Sequence, residues 1–286
     1  MHSSTIAEKM RAKASSLTGA ERKLSHALQA DYPMRGLVSM PEFARVAGVS
    51  TPSVLRFAKK LGFSGFPDFQ AALRRELSAQ LLNPIARQEQ WARQAPKGHV
   101  LNRFAQAAIE NLKNSLGLLD HRSFDAIVAL LSAPKTRVHV IGGRITGALA
   151  QYLAIHLQMA RPEVGLVPQS QSLWPQHLLE IGKGSVVVMF DVRRYDVSMR
   201  EFAVSAKRRG ARIVLITDQW MSPLSSIAVH SLAVRIEVPT AWDSNIVPLF
   251  VAEALVAGVV ERSWPRTQAR ISALELERNQ LARNKP

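Results

Sequence analysis

Residues 39–61, SMPEFARVAGVSTPSVLRFAKKL, constrain the fold of this chain more than any other stretch, because two short helices and a turn are written into them. Ser39 and Glu42 stand three apart, the spacing of a capping box, and Pro41 falls in a first turn, where its missing N–H costs nothing. Ala44 is small where a second helix must cross closely. Gly48 stands where the turn needs a residue that accepts a positive φ. Ser50 then offers a cap for the second helix, with Pro52 again in a first turn. In that helix Val54, Phe57, Ala58 and Leu61 recur at helical spacing as a buried stripe. Ser50 at the cap and Thr51, Ser53, Arg56, Lys59 and Lys60 on the other faces are the candidate DNA contacts. Hydroxyls at a helix start followed by an arginine suit insertion of its N-terminal end into a major groove. An ordinary helical hairpin with solvated charges has the same polar face. Small, turn and apolar positions all in register favour the helix-turn-helix reading.

The charge balance points the same way. The 286 residues carry 37 Lys and Arg against 22 Asp and Glu, a formal charge of +15, which argues for a polyanionic partner. The excess is denser in the first third, where residues 1–97 hold 15 basic and 7 acidic side chains. With no cysteine, disulfides, thiolate metal sites and cysteine nucleophiles are excluded. Residues 1–16 lack the apolar core of a signal peptide, and no run approaches a membrane span, so a cytoplasmic protein without membrane partners is expected.

Organisation follows from periodicity. Thr18 and Glu21 form another capping box, opening a helix that turns Leu24 and Leu28 inward and ends before Pro33. Phe63, Phe66 and Phe69 are spaced to fill a small core. From about 77 to 100 a polar, helix-compatible stretch bracketed by Pro84 and Pro96 reads as a connector. Leu101, Phe104, Ala108, Leu112 and Leu116 then mark an amphipathic helix over 100–119, which either packs on the next domain or forms a dimer seam. A further helix is expected at 123–132. Beyond residue 136, strand-like runs at RVHVIG, VGLVP, SVVVMF, ARIVLIT and SLAVRIEV alternate with helical stretches at 146–160, 173–181, 197–209 and 222–228. A long apolar helix over 244–261 and a polar helical tail follow. The expected fold class is an all-α N-terminal domain plus an α/β domain whose five-stranded parallel sheet is sandwiched by helices. The expected boundaries are 1–78 for the helix-turn-helix domain, 79–120 for a helical linker, 121–265 for the α/β domain and 266–286 for the tail.

With both halves read, the chain resembles the RpiR type of bacterial transcriptional regulator, in which a helix-turn-helix domain precedes a sugar isomerase (SIS) domain. The segment GVSTPSVLRFAKKLGFSGFPDFQAAL carries the first resemblance, through the serine, valine and RF of the second helix and the following LGF-x-GF. The resemblance implies an operator on double-stranded DNA, a homodimer or tetramer, and a metabolite sensed by the second domain, often a sugar phosphate. The second half resembles an SIS domain in order and spacing and departs from it in two loops. Where such domains present G-x-G-x-S after the first strand, this chain has Gly142, Gly143, Arg144, Ile145 and Thr146. Where they present S-x-S-G-x-T after the third, it has Asp191, Val192, Arg193, Arg194, Tyr195 and Asp196.

Both loops follow strands and open helices, so both belong at one edge of the sheet. Arg144, Arg193 and Arg194 are expected to converge there, with Gly142, Gly143, Thr146 and helix amides, on one small anionic effector. Asp191 either orients an arginine or meets a ligand hydroxyl, and Tyr195 walls the pocket. A structural ion pair between Asp191 and an arginine is the alternative. Ser244 and Asn245 are weaker candidates. A sugar-phosphate isomerase with an accessory helical domain is the competing function. None of the eight histidines forms a catalytic or metal-binding pair by spacing, His156 and His177 being the nearest to a pocket, so no catalytic residue, metal or cofactor is expected. A basic protein coating DNA without specificity accounts for the charge but not for an α/β domain.

Overall fold

A computed structural model of the chain describes residues 4–94 and 98–283. Pro96 of the connector, and the outermost residues of the first domain and of the tail as bounded above, lie outside the described residues. The helical half runs through α1 (Ile6–Ala12), α2 (Gly19–Ala30), α3 (Met40–Ala47), α4 (Thr51–Lys60), α5 (Phe66–Leu81), α6 (Pro84–Gln94) and α7 (Val100–Leu116). The α/β half comprises α8 (His121–Ser132), β1 (Arg137–Gly142), α9 (Gly147–Ala160), β2 (Val164–Leu166), α10 (Trp174–Glu180), β3 (Ser185–Asp191), α11 (Val197–Arg208), β4 (Arg212–Asp218), β5 (His230–Val234), α12 (Ile246–Arg262) and α13 (Trp264–Arg283).

Two compact units result. One holds residues up to Leu118 together with 218–226 and 233–244; the other holds 119–217, 227–232 and the rest from Asn245 onward. The first therefore takes in two segments that a linear division assigns to the α/β domain.

In the first unit the capping boxes decide where helices begin. Thr18 and Glu21 form both halves of theirs, and Thr5 and Glu8 form another that opens α1. Leu24 and Leu28 are fully buried, as their spacing predicts. Gly48 ends α3 at φ 61°, ψ 45°, in the left-handed region where a side chain is disfavoured. Phe57, Phe63 and Phe66 gather around the fully buried Phe69, with ring centroids 5.5–6.3 Å from it. Lys9 sits 4.3 Å above the half-buried ring of Phe63, a cation–π contact. Within the connector residues 84–94 are helical, and Arg87 of α6 is buried against Asp243 at 2.9 Å. On α7 the buried face is Ala108, Asn111 and Ser115, while Leu101 and Leu116 are exposed. Of the expected apolar stripe, Ala108 is thus buried and Phe104 and Leu112 are half-buried, and the polar Asn111 and Ser115 join the buried face.

In the second unit β2-β1-β3-β4-β5 is the strand order, and β1 pairs in parallel with both β2 and β3, as β3 does with β4. The central β3 is buried at every residue, which its uninterrupted apolar run requires. Helix α9 packs on β1 and β2, α11 packs on β3, and α12 lies on α8 and α9. Gly258 of α12 permits the crossing with α8, since a Cβ there would stand 2.8 Å from Val128. Two expectations change. The 222–228 stretch forms only a 3-10 turn at Pro223–Ser226, and the last strand-like run leaves the sheet after Val234.

Candidate functional site

The first candidate surface is the exposed face of α4. Pro52, Leu55, Arg56 and Lys59 are exposed there, whereas Val54, Phe57 and Ala58 are buried in the unit. Thr51 is half-buried at the helix start, and Ser50 is the N-cap residue but makes no side-chain cap bond. The Ser50 hydroxyl instead lies 3.0 Å from that of Ser53, and Arg56 donates to Ser53 Oγ at 2.9 Å. Ser53 is thus an inward support that orients Arg56, only 5% exposed, and not the outward contact its spacing implied. Lys60 is likewise committed. It donates to Glu21 at 2.8 Å and to the Ser16 carbonyl, closing the helix end onto α2. Glu42 forms only half of the expected box. The Ser39 hydroxyl accepts from its amide at 3.3 Å, while its carboxylate forks with Arg45 at 2.6 and 2.9 Å. That pairing holds the Glu42 carboxyl below the usual range. Leu55, 37% exposed, is an outward apolar group that the charge pattern alone does not single out.

The second candidate lies in the α/β unit. With strand order 2-1-3-4-5 the switch point falls between β1 and β3, and ligands in such sheets bind beyond the carboxyl ends of those strands. A concavity of about 180 Å³ opens there, lined by Gly142, Gly143, Arg144, Gln169, Gln171, Trp174, Asp196 and Met199. Gly142 is obligatory in the first loop, because a Cβ on it would meet the Thr146 carbonyl oxygen at 2.4 Å. The Thr146 hydroxyl accepts from the Gly143 amide at 2.8 Å and donates to the Phe190 carbonyl at 2.9 Å. It therefore ties the β1 loop to the end of β3 and, 7% exposed, is spent as a ligand group.

The three arginines do not converge on this concavity. Arg144 lines it; Arg193 is buried with φ 57°, Arg194 is exposed outside the lining, and Tyr195 is half-buried, also outside it. Asp191 is buried, and its carbonyl accepts from the Thr217 hydroxyl at 2.7 Å. From this loop Asp196, and neither Arg193 nor Arg194, lines the concavity. Asp196 caps α11 by accepting from the Ser198 amide at 2.8 Å. Trp174 forms an apolar wall, its indole N–H donating to Pro168 at 2.8 Å and its ring edge-on to Phe202. Gln169, Gln171 and Trp174 follow β2 in a stretch that carries no recognisable motif, Met199 lies within α11, and Asp196 ends the loop matched after β3 without being expected as a ligand group. His156 stacks on Tyr152 with centroids 4.1 Å apart, and neither it nor His177, Ser244 or Asn245 lines the concavity. Among the described residues no cluster of His, Cys, Asp and Glu could hold a metal ion, and no helix is long and apolar enough to cross a membrane.

Comparison with known proteins fits both halves. Residues 4–80 match the model of the helix-turn-helix domain of the rpiR family, and residues 130–258 match that of the SIS domain. The chain has the RpiR-type regulator architecture. It is 26% identical over 267 residues to the HTH-type transcriptional regulator HexR of Pseudomonas aeruginosa, covering 90% of each chain. The sugar isomerase domain of an RpiR transcription factor from Sphaerobacter thermophilus superposes with a TM-score of 0.59 at 21% identity, over 62% of this chain and 99% of that one. The Vibrio vulnificus NanR protein complexed with ManNAc-6P superposes at 0.57 and 19% identity, over 97% of this chain and 99% of that one. At these identities the two structures speak for the shared fold.

Proposed function

We propose that this RpiR-type chain is a cytoplasmic DNA-binding transcriptional regulator whose operator affinity changes when a small sugar-derived anion occupies the concavity at the β1–β3 switch point. The observation that carries the reading is the outward face of α4, where Arg56 stands preoriented by Ser53 beside exposed Leu55 and Lys59. Arg56 has the reach and the donor fork for a guanine edge, Leu55 suits a thymine methyl, and Lys59 suits a phosphate. Thr51 and Ser50, at the helix start, serve the flanking backbone. The surplus charge of +15 supplies the salt-dependent share of the affinity. In a homodimer or tetramer, paired heads read half-sites about one helical turn apart. Effector control requires that the ligand bind the two arrangements of the heads with unequal affinity.

On this reading the chain is a regulator and not an isomerase, because residues 4–80 form a helix-turn-helix domain and no histidine lines the concavity. Fluorescence anisotropy on fragments recovered by genome-wide binding tests the DNA assignment. Arg56→Ala is expected to weaken specific binding by about 10- to 100-fold at fixed salt, the cost of one base contact. Lys60→Ala, which breaks a bond to Glu21, is expected to change folding more than the salt slope. Unchanged affinity in Arg56→Ala removes α4 as the reading helix.

A further inference from the structure

The proposed effector site carries more information than its position. We infer that it takes an unphosphorylated sugar acid, with the ligand carboxylate at Arg144 and its hydroxyls at Asp196, Gln169 and Gln171. This rests on reading the concavity as the effector site.

A phosphate seated beyond parallel strands depends on two resources: free amides at a helix N-terminus and the positive end of its dipole. Both seats are altered here. At α11 the Asp196 carboxylate accepts the Ser198 amide at 2.8 Å, so a fixed negative charge sits where a phosphate dianion would have to sit. In the loop leading to α9, the Gly143 amide is bonded to Thr146 Oγ1 at 2.8 Å, and that hydroxyl is bonded in turn to the Phe190 carbonyl. A ligand with two negative charges on one tetrahedral group meets repulsion from Asp196 at one seat and one amide fewer at the other.

What remains favours a different chemistry. Arg144 is exposed at the rim and offers a planar fork that matches a single carboxylate. Gln171 Nε2 lies 3.5 Å from Asp196 Oδ2, so an amide and a carboxylate sit side by side. An amide that donates and accepts, next to a carboxylate that only accepts, is suited to neighbouring hydroxyls. Trp174 and Met199 give the carbon face of such a ligand an apolar wall.

Isothermal titration calorimetry on the full chain tests this with D-gluconate and D-glucuronate against glucose 6-phosphate and inorganic phosphate. Wild type is expected to bind at least one sugar acid ten-fold or more tightly than glucose 6-phosphate. Asp196→Asn keeps the cap, since Asn caps as well as Asp, and is expected to shift the preference at least ten-fold toward the phosphate ester. Arg144→Gln is expected to weaken binding of every anion. If wild type prefers glucose 6-phosphate and Arg144→Gln abolishes that binding, the sugar-acid assignment falls while the effector site stands. If no probe binds wild type or Asp196→Asn, both fall. Sugar-acid binding that is indifferent to both substitutions places the ligand elsewhere and also overturns the assignment.

Discussion

Glu76 of α5 gives the sharpest quantitative test of the helical unit. Its carboxylate accepts from the Ile6 amide at 2.7 Å and from the Tyr32 hydroxyl, pinning the start of α1. Burial dominates those bonds and pushes its pKa from 4.5 up to about 7. The same burial pushes the Tyr32 hydroxyl well above its ordinary value, so the phenol stays protonated and donating. The sign follows from which state holds the proton. Between 4.5 and about 7 the folded unit keeps a proton that the unfolded chain has released, so stability falls as pH rises. The contribution is complete below about pH 4.5 and lost once pH passes about 7. At about 1.4 kcal/mol per pH unit the full swing is about 3 kcal/mol. Glu76→Gln is neutral throughout, and its amide oxygen still accepts from Ile6. Relative to wild type, the variant is therefore expected to gain about 3 kcal/mol between pH 4.5 and 8, other titrations cancelling in the difference. Urea unfolding at a series of pH values, with hydrogen exchange of α1 and α5 peptides reporting this unit alone, measures it. Parallel pH profiles for the two proteins would refute the burial argument.

Three further outcomes follow from contacts on both units. Gly142→Ala is expected to cost about 1–3 kcal/mol by forcing the β1 loop away from Thr146, whereas Gly143→Ala, whose Cβ would meet Thr146 Oγ1 at an ordinary 3.5 Å, should stay within about 0.5 kcal/mol; thermal unfolding separates them. Thr146→Val strands the Gly143 amide and should cost about 1–3 kcal/mol, with Thr146→Ser recovering most of it in the same assay. Glu8→Gln breaks a pair to Arg235 made at 2.6 and 2.8 Å by a carboxylate only 1% exposed, and a loss of about 3–5 kcal/mol is expected, partly restored in Glu8→Gln/Arg235→Met by the same denaturation measurement.

Local rules carried the reading wherever partners lie a few residues apart. The Thr18–Glu21 box, the left-handed Gly48, the aromatic core around Phe69 and the alternation of strands with helices all depend on near neighbours or on a period. Side-chain commitments across long separations were not legible. Lys60 looks like a phosphate ligand until Glu21, 39 residues earlier, claims it. Thr146 looks like a ligand hydroxyl until the Phe190 carbonyl, 44 residues later, is found beside it. In the loop after β3, Arg193 and Arg194 are expected at the concavity, and Asp196 is the residue of that loop that lines it. A positive φ at Arg193 is uncommon for a residue with a side chain, and no local pattern announces it.

The run SLAVRIEV shows why a correct pattern still ended in the wrong element. Leu232, Val234, Ile236 and Val238 are all buried, at the period of two that a strand demands. Pairing nevertheless stops at Val234, because the backbone groups beyond it find other partners. The Arg235 amide donates to Ser115 Oγ at 2.8 Å, the Ile236 amide to Gln219 Oε1 at 3.2 Å, and the Glu237 carbonyl accepts from Asn111 at 2.7 Å. Asn111 and Ser115 are the polar residues on the buried face of α7. One cause therefore accounts for both observations: part of the buried face of α7 meets bare backbone at Arg235 and Glu237. A face of that kind needs hydrogen-bonding side chains at helical spacing, and Asn111 and Ser115 supply them. The Arg235–Glu8 pair then completes the arrangement, since an arginine in this run is tolerated only where a buried carboxylate meets it.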